Sequence, residues 1–202
     1  MNYYISDLHF FCRSQTNDGF VNYDRRPFAN CEEMHDTLLH RWNKKVTNGD
    51  TVYILGDMAR RGRNDALIGL VAQLRGRKVL IKGNHDDISD YRYKQLFMEI
   101  CDYKELVDSF EGRTYKLILS HYPILMWNGQ HSGSFLLYGH THISAEDTFF
   151  QNCVRKLSED LEEKGCEPLR AFNVGCMQPY MNYEPRTIAE ILAVHEAQSQ
   201  EE

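Results

Sequence analysis

Long apolar runs are missing from this chain: no stretch approaches the roughly 18 apolar residues that cross a bilayer, so no membrane-spanning helix is expected. Closely paired cysteines are missing too. The six Cys, at 12, 31, 101, 153, 166 and 176, lie far apart and form no C-x-x-C pair, and Met1-Asn2-Tyr3 opens what reads as a strand rather than a signal peptide. Reduced, mostly buried thiols in a cytoplasmic protein are therefore expected, with three disulfides as the alternative. Positive charge is in deficit. Lys and Arg total 23 against 29 Asp and Glu, a formal net charge of −6, which argues against an extended footprint on nucleic acid or an anionic membrane. There is no internal repeat and no low-complexity segment beyond a Gln- and Glu-containing tail after residue 195 that is expected to fray. What is present, 42% hydrophobic and 12% aromatic residues, is ordinary for one well-buried core, and the expectation is a single domain over 1–202.

The organising stretch is Gly83-Asn84-His85-Asp86, which follows the apolar Val79-Leu80-Ile81 and sets an amide, an imidazole and a carboxylate in consecutive positions. A strand that stops at Gly lets the backbone turn sharply, and residues just past a strand's carboxyl end line the crevice where open α/β sheets bind ligands. Four other strand ends carry compatible groups. Asp7 and His9 follow Tyr3-Tyr4-Ile5, Asp57 follows 51–55, His121 follows 114–120, and His140 with His142 follows 135–138.

Between these strands the pattern is helical. Asn30 with Glu33 forms a capping-box-like start to a helix bearing Met34, Leu38, Leu39 and Trp42 on one face, up to Asn48-Gly49-Asp50; Asn64 caps a second with Leu67, Ile68, Val71 and Leu74. Strand, loop, helix, strand is the βαβ rhythm of a parallel sheet. Residues 91–101 read as a helix with Tyr93, Leu96, Phe97 and Ile100 as its stripe. Strands are expected further on at 106–107, 114–120, 135–138 and 171–174, with helices at 153–164 and 187–197. A βαβ half followed by a strand-rich half predicts two sheets face to face with helices outside. Residues 10–30 follow no period and carry five aromatics, either as a substrate-lining loop or as an aromatic-pinned surface loop.

The residue types at the strand ends point to metal chemistry. Imidazole and carboxylate together suit borderline divalent transition ions, and there are enough ligands for two. Asp57 can place one oxygen on each ion of a pair about 3.5 to 4 Å apart, the spacing that clamps both oxygens of an in-line displacement at phosphorus. Asn84 adds a ligand without charge, and His140 and His142, two apart on an extended segment, point to one face.

In that order the blocks D-x-H, G-D, G-N-H-D, H and G-H-x-H, spanning 7 to 142, resemble the calcineurin-like metallophosphoesterase family. The resemblance implies an α/β fold, a four-layer αββα sandwich of two mixed β-sheets flanked by helices. It implies Asp7, His9 and His142 on a first metal, Asn84, His121 and His140 on a second, and Asp57 bridging, with His85 as the acid facing the leaving oxygen and Asp86 holding its ring or its loop. It also implies a phosphoester hydrolase in which water between two divalent ions (Mn foremost, or Fe, Zn, Co or Ni) attacks phosphorus. A small phosphodiester or nucleotide-like substrate is expected, with a phosphomonoesterase, a pyrophosphatase or a catalytically silent scaffold as alternatives. Protein Ser/Thr phosphatases of the same superfamily end the G-D loop in Asp-Arg-Gly; Arg61 falls at the matching arginine, but Arg60 replaces the acidic residue, so Arg61 is a candidate phosphate holder or part of a solvated basic turn. His35, His40 and His195 are expected to have no ligand role, whereas His131, in the 122–134 loop, is a candidate substrate contact.

Overall fold

The computed structural model describes residues 1–59 and 65–198. Four strands, β1 (Asn2–Ile5), β2 (Thr51–Ile54), β3 (Arg77–Ile81) and β4 (Glu99–Cys101), form one sheet in that order. β5 (Tyr103–Phe110), β6 (Arg113–Ser120), β7 (Phe135–Tyr138) and β8 (Arg170–Asn173) form the other. The helices are α1 (Cys31–Lys45), α2 (Asp65–Gln73), α3 (Tyr91–Lys94), α4 (Ala145–Glu162) and α5 (Ile188–Gln198).

Burial explains the layering. Alternate residues of the second sheet face opposite ways: Leu117, Leu119, Phe135, Leu137 and Phe172 join the core that also holds Ile5, Val52, Ile54, Val79 and Ile81 of the first sheet. Ile118, Leu136, Tyr138 and Ala171 instead pack with Phe150 and Val154 of α4. On the far side of the first sheet, Met34, Leu38 and Trp42 of α1 and Leu67 and Val71 of α2 complete the same core. The result is the expected αββα sandwich.

Three details differ from expectation. The first sheet is wholly parallel rather than mixed, because α1 and α2 each return the chain to the edge where the preceding strand began. The second is mixed, since β5 and β6 form an antiparallel hairpin turned by Glu111 and Gly112, both at positive φ. The helix expected over 91–101 stops after one turn, and Glu99–Cys101 pairs with β3 as an edge strand; a short apolar run does not by itself distinguish the two. α4 begins eight residues before the expected 153, where the Ser144 side chain accepts the N–H groups of Glu146 and Asp147. The Asn30 cap forms as expected, accepting from Glu33 N–H, whereas Asn64 lies outside the described residues. All six cysteines are free thiols, and no helix of the described residues is long and apolar enough to cross a membrane.

Candidate metal centre

The parallel strands β1, β2 and β3 and the neighbouring β6 and β7 deliver their carboxyl ends to one edge, and the loops there turn immediately. Asp7, His9, Asp57, His140 and His142 all take positive φ, between 52° and 70°. Each such non-glycine conformation costs about 1–2 kcal/mol, and a run of them at one edge marks a site held together by its surroundings. Glycine is required at two turns. A Cβ on Gly83 would lie 2.2 Å from Asp57 Oδ1, and one on Gly56, at φ +86°, would lie 2.4 Å from His121 Nδ1.

The side chains gather as two groups. In the first, Asp7, His9 and His142 offer ligand atoms within 4.8 Å of one another. His9 Nε2 and His142 Nε2 are 3.1 Å apart, with Asp7 Oδ1 at 3.5 Å from the latter. In the second, Asp57, His121 and His140 meet the same limit, and Asn84 Oδ1 joins them 2.9 Å from His121 Nε2. Asp57 stands between. Its Oδ2 is 3.7 Å from His9 Nε2 and its Oδ1 3.6 Å from His121 Nε2.

Proton positions follow from the outer partners. His121 Nδ1 is 2.8 Å from the carbonyl oxygen of Leu55, which can only accept, so Nδ1 carries the proton and Nε2 presents a lone pair toward the Asn84 oxygen. Two acceptors facing each other ask for a cation. His142 Nδ1 likewise lies 2.7 Å from Asp24 Oδ1. Burial pushes the His142 pKa down, but the carboxylates of Asp24 and Asp7 outweigh it and raise it to about 10; this spot demands positive charge. Burial lowers His9 to about 3, leaving it neutral and able to ligate. Burial raises Asp7, yet His142, His9 and His121 outweigh that and hold it below the usual carboxylate range. The donor set thus fits divalent ions.

Of the sequence candidates, Asp7, His9, Asp57, Asn84, His121, His140 and His142 come together. His85 joins them, its backbone N–H donating to Asp57 Oδ1 at 2.9 Å and its ring 5.7 Å, centroid to centroid, from that of His9. Asp86 sits behind, accepting the N–H groups of Gly83, Asp57 and Met58, so it holds loops. Arg61 lies outside the described residues. His131 is exposed in a 3-10 turn and lines no part of the adjoining pocket. His35 accepts the N–H of Phe11, and His195 packs tilted against Phe172 and edge-on against Tyr180. Asp24 and Arg26 carried no sequence signal, because a lone acid and base in a patternless loop look like surface charge. A pocket of about 340 Å³ opens onto His9, His85, His140 and His142, walled by Cys12, Ser14, Gln15 and Tyr23 of the 10–30 loop and by Ile143, Ser144 and Glu146 at the start of α4. The loop therefore does line the site.

Two clusters of candidate metal ligands on the edge of an αββα sandwich define the class. The calcineurin-like phosphoesterase family matches residues 3–173, and the chain belongs to it. An uncharacterized protein of Methanocaldococcus jannaschii, MJ1445, is 33% identical over 161 residues, covering 76% of this chain and 77% of that one. The gene 66 protein of Mycobacterium phage D29 is 28% identical over 162 residues, 69% of this chain and 77% of its own. A solved structure of a protein of unknown function from Aquifex aeolicus, AQ665, matches with a TM-score of 0.64 over 96% of this chain and 98% of that one; at 22% identity the likeness is one of fold.

Proposed function

We propose that this phosphoesterase-family chain is, as one domain, a dinuclear metal-dependent phosphodiesterase acting on a small or nucleotide-like substrate. The observation that carries the reading is Asp57, whose two carboxylate oxygens face different ligand groups, Oδ2 toward His9 and Oδ1 toward His121. Divalent ions held there, with Mn as first choice and Fe, Zn, Co or Ni as alternatives, supply Lewis acidity that lowers the pKa of water and offsets charge on the phosphoryl oxygens.

The chain's own residues do the rest. Asp7, His9 and His142 bind on one side, Asn84, His121 and His140 on the other. His85, with 39% of its side chain exposed, sits in the pocket wall, where its imidazolium can hand a proton to the departing oxygen. Asp86 keeps the His85 loop and the Asp57 loop in register. A phosphate-holding role for Arg61 is part of the proposal. The pocket volume of about 340 Å³ suits one small organic group rather than a polymer, and six free thiols accord with a cytoplasmic location.

The test is hydrolysis of bis-p-nitrophenyl phosphate beside p-nitrophenyl phosphate by metal-stripped protein reloaded with Mn²⁺, with Asp57→Asn as control. Cleavage of the diester, lost in the control, supports the proposal. Turnover of the monoester alone moves the protein among phosphatases. Neither, with metals bound, favours pyrophosphate substrates or a scaffold.

A further inference from the structure

Arg26 is fully buried, and a guanidinium without water must find every partner in the protein. Its Nε and Nη2 donate to Asp24 Oδ2 at 3.0 and 2.9 Å. Its Nη1 donates to the Leu8 carbonyl at 3.0 Å and Nη2 to the Asp7 carbonyl at 2.8 Å. The remaining Asp24 oxygen takes His142 Nδ1 at 2.7 Å. One continuous chain of bonds thus runs from the Asp7–Leu8 backbone, after β1, through Arg26 and Asp24 to His142, after β7. It joins loops from the two different sheets, and it ties together two ligands of one metal group, Asp7 through its backbone carbonyl and His142 through its ring, with the third, His9, 3.1 Å from His142, Nε2 to Nε2.

The same two residues belong to the loop that walls the pocket. Tyr23, adjacent to Asp24, lines it together with Cys12, Ser14 and Gln15. The loop is folded on itself around this point: the Asn22 side chain both accepts the Arg26 N–H at 3.0 Å and donates to the Arg26 carbonyl at 2.8 Å, and Tyr23 N–H donates to the Ser14 carbonyl at 3.0 Å. In the second metal group His121 is backed by the Leu55 carbonyl, at the end of a core strand. The two groups are therefore supported differently, one by the sheet and one by a loop.

Resting on the reading of this site as a metal centre, we propose that Asp24 and Arg26 are positioning residues that weld the 10–30 loop to the first metal group, so that an ion held by Asp7, His9 and His142 and the pocket wall stabilise each other. A carboxylate behind a ligating imidazole fixes its tautomer and raises its basicity, and losing such a partner costs about 10–100-fold in metal affinity. Because coupling free energies are reciprocal, whatever the loop contributes to the ion, the ion returns to the loop.

The experiment compares wild type with Asp24→Asn in equilibrium dialysis against Co²⁺ and in limited trypsin digestion, following cleavage after Arg13 and Arg25 with and without the metal. Wild type is expected to bind two equivalents and to be protected at both bonds by Co²⁺. In Asp24→Asn one equivalent should bind about 10–100-fold more weakly, and protection should disappear at metal concentrations that still fill the other site. Binding within twofold of wild type, or full metal protection in the variant, overturns the proposal. Should the Asn variant not fold, as judged by circular dichroism of metal-free protein, Asp24→Glu keeps the charge, displaces the carboxylate by one methylene and is read by the same two criteria. If wild type takes up no Co²⁺, the metal-centre reading itself fails and this proposal falls with it; two bound equivalents with no effect of the variant sink this proposal alone.

Discussion

The carboxylate of Asp86 accepts the backbone N–H of Asp57 at 2.8 Å, and the same side chain takes the N–H of Met58 at 2.9 Å and of Gly83 at 2.8 Å. The loops after β2 and β3 are thereby tied to one partly buried group, whose pKa desolvation raises against the pull of those three donors. Asp86→Ala would leave the donors unpaired, at about 1–3 kcal/mol for a buried group so stranded. Urea unfolding of metal-free protein is expected to show a loss of that size, with weakened binding of the ion assigned to Asn84, His121 and His140.

His85→Asn is expected to keep both metals while slowing turnover, most for substrates with poor leaving groups. General acid catalysis contributes roughly 10²–10⁴-fold, and that factor matters least when the leaving oxygen needs no proton. A series of aryl phosphodiesters checks it: equal slowing across leaving-group pKa would remove His85 from the role.

Gly83→Ala places a methyl where Asp57 Oδ1 stands, 2.2 Å away, with the Asp57 backbone nitrogen at 2.6 Å. Neither can retreat without leaving its place, so overpacking of about 1–3 kcal/mol is expected, together with loss of at least one bound equivalent of metal. Thermal melting and metal analysis of the variant report the two effects separately.

Tyr4, fully buried in β1, donates its hydroxyl to Asp108 Oδ2 of β5 at 2.7 Å, a bond from one sheet to the other. Burial, with the Asp108 carboxylate adding to it, holds the phenol well above its ordinary pKa, so it stays protonated as donor. Tyr4→Phe should cost about 1.5–3 kcal/mol, as for a hydrogen bond to a charged group, without changing metal content. Chemical denaturation at neutral pH measures it.

Glu190 fastens the start of α5, bonding Lys45 Nζ at 2.6 Å and the Thr187 N–H at 2.8 Å. Burial raises its pKa, but Lys45 and that N–H outweigh it and hold the carboxyl below its ordinary 4.5. A lowered folded-state pKa means stability present above about pH 4.5 and lost as pH falls below it. The stability gap between wild type and Glu190→Gln should therefore be under about 1 kcal/mol at pH 7, as for a partly exposed pair, and should shrink as acid is added. A constant gap down to pH 3 would contradict this.

Much of the candidate metal centre was legible in the sequence because its signals are local. A short apolar run followed closely by Asp, His or Gly-Asn-His needs no distant partner to be noticed, and the βαβ rhythm brings the first three such ends to one edge; that the ends of β6 and β7, in the second sheet, join them is decided by the packing of the two sheets. The same locality misjudged 91–101, where Tyr93 and Phe97 do enter the core but Glu99–Cys101 had β3 available as a partner. Pairing along a sheet edge overrode a weak helical period.

The sequence by itself marked the candidate strand-end residues, the βαβ order and the two-sheet layering, since periodicity and strand-end chemistry are written within a few residues. Only the tertiary structure decided that Asp57 divides its oxygens between two groups, and that Asp24 and Arg26 of a patternless loop stand behind His142. Asp24 and His142 are 118 positions apart, and a hydrogen bond between residues so distant exists only once two sheets have packed and buried the charges that must then find each other.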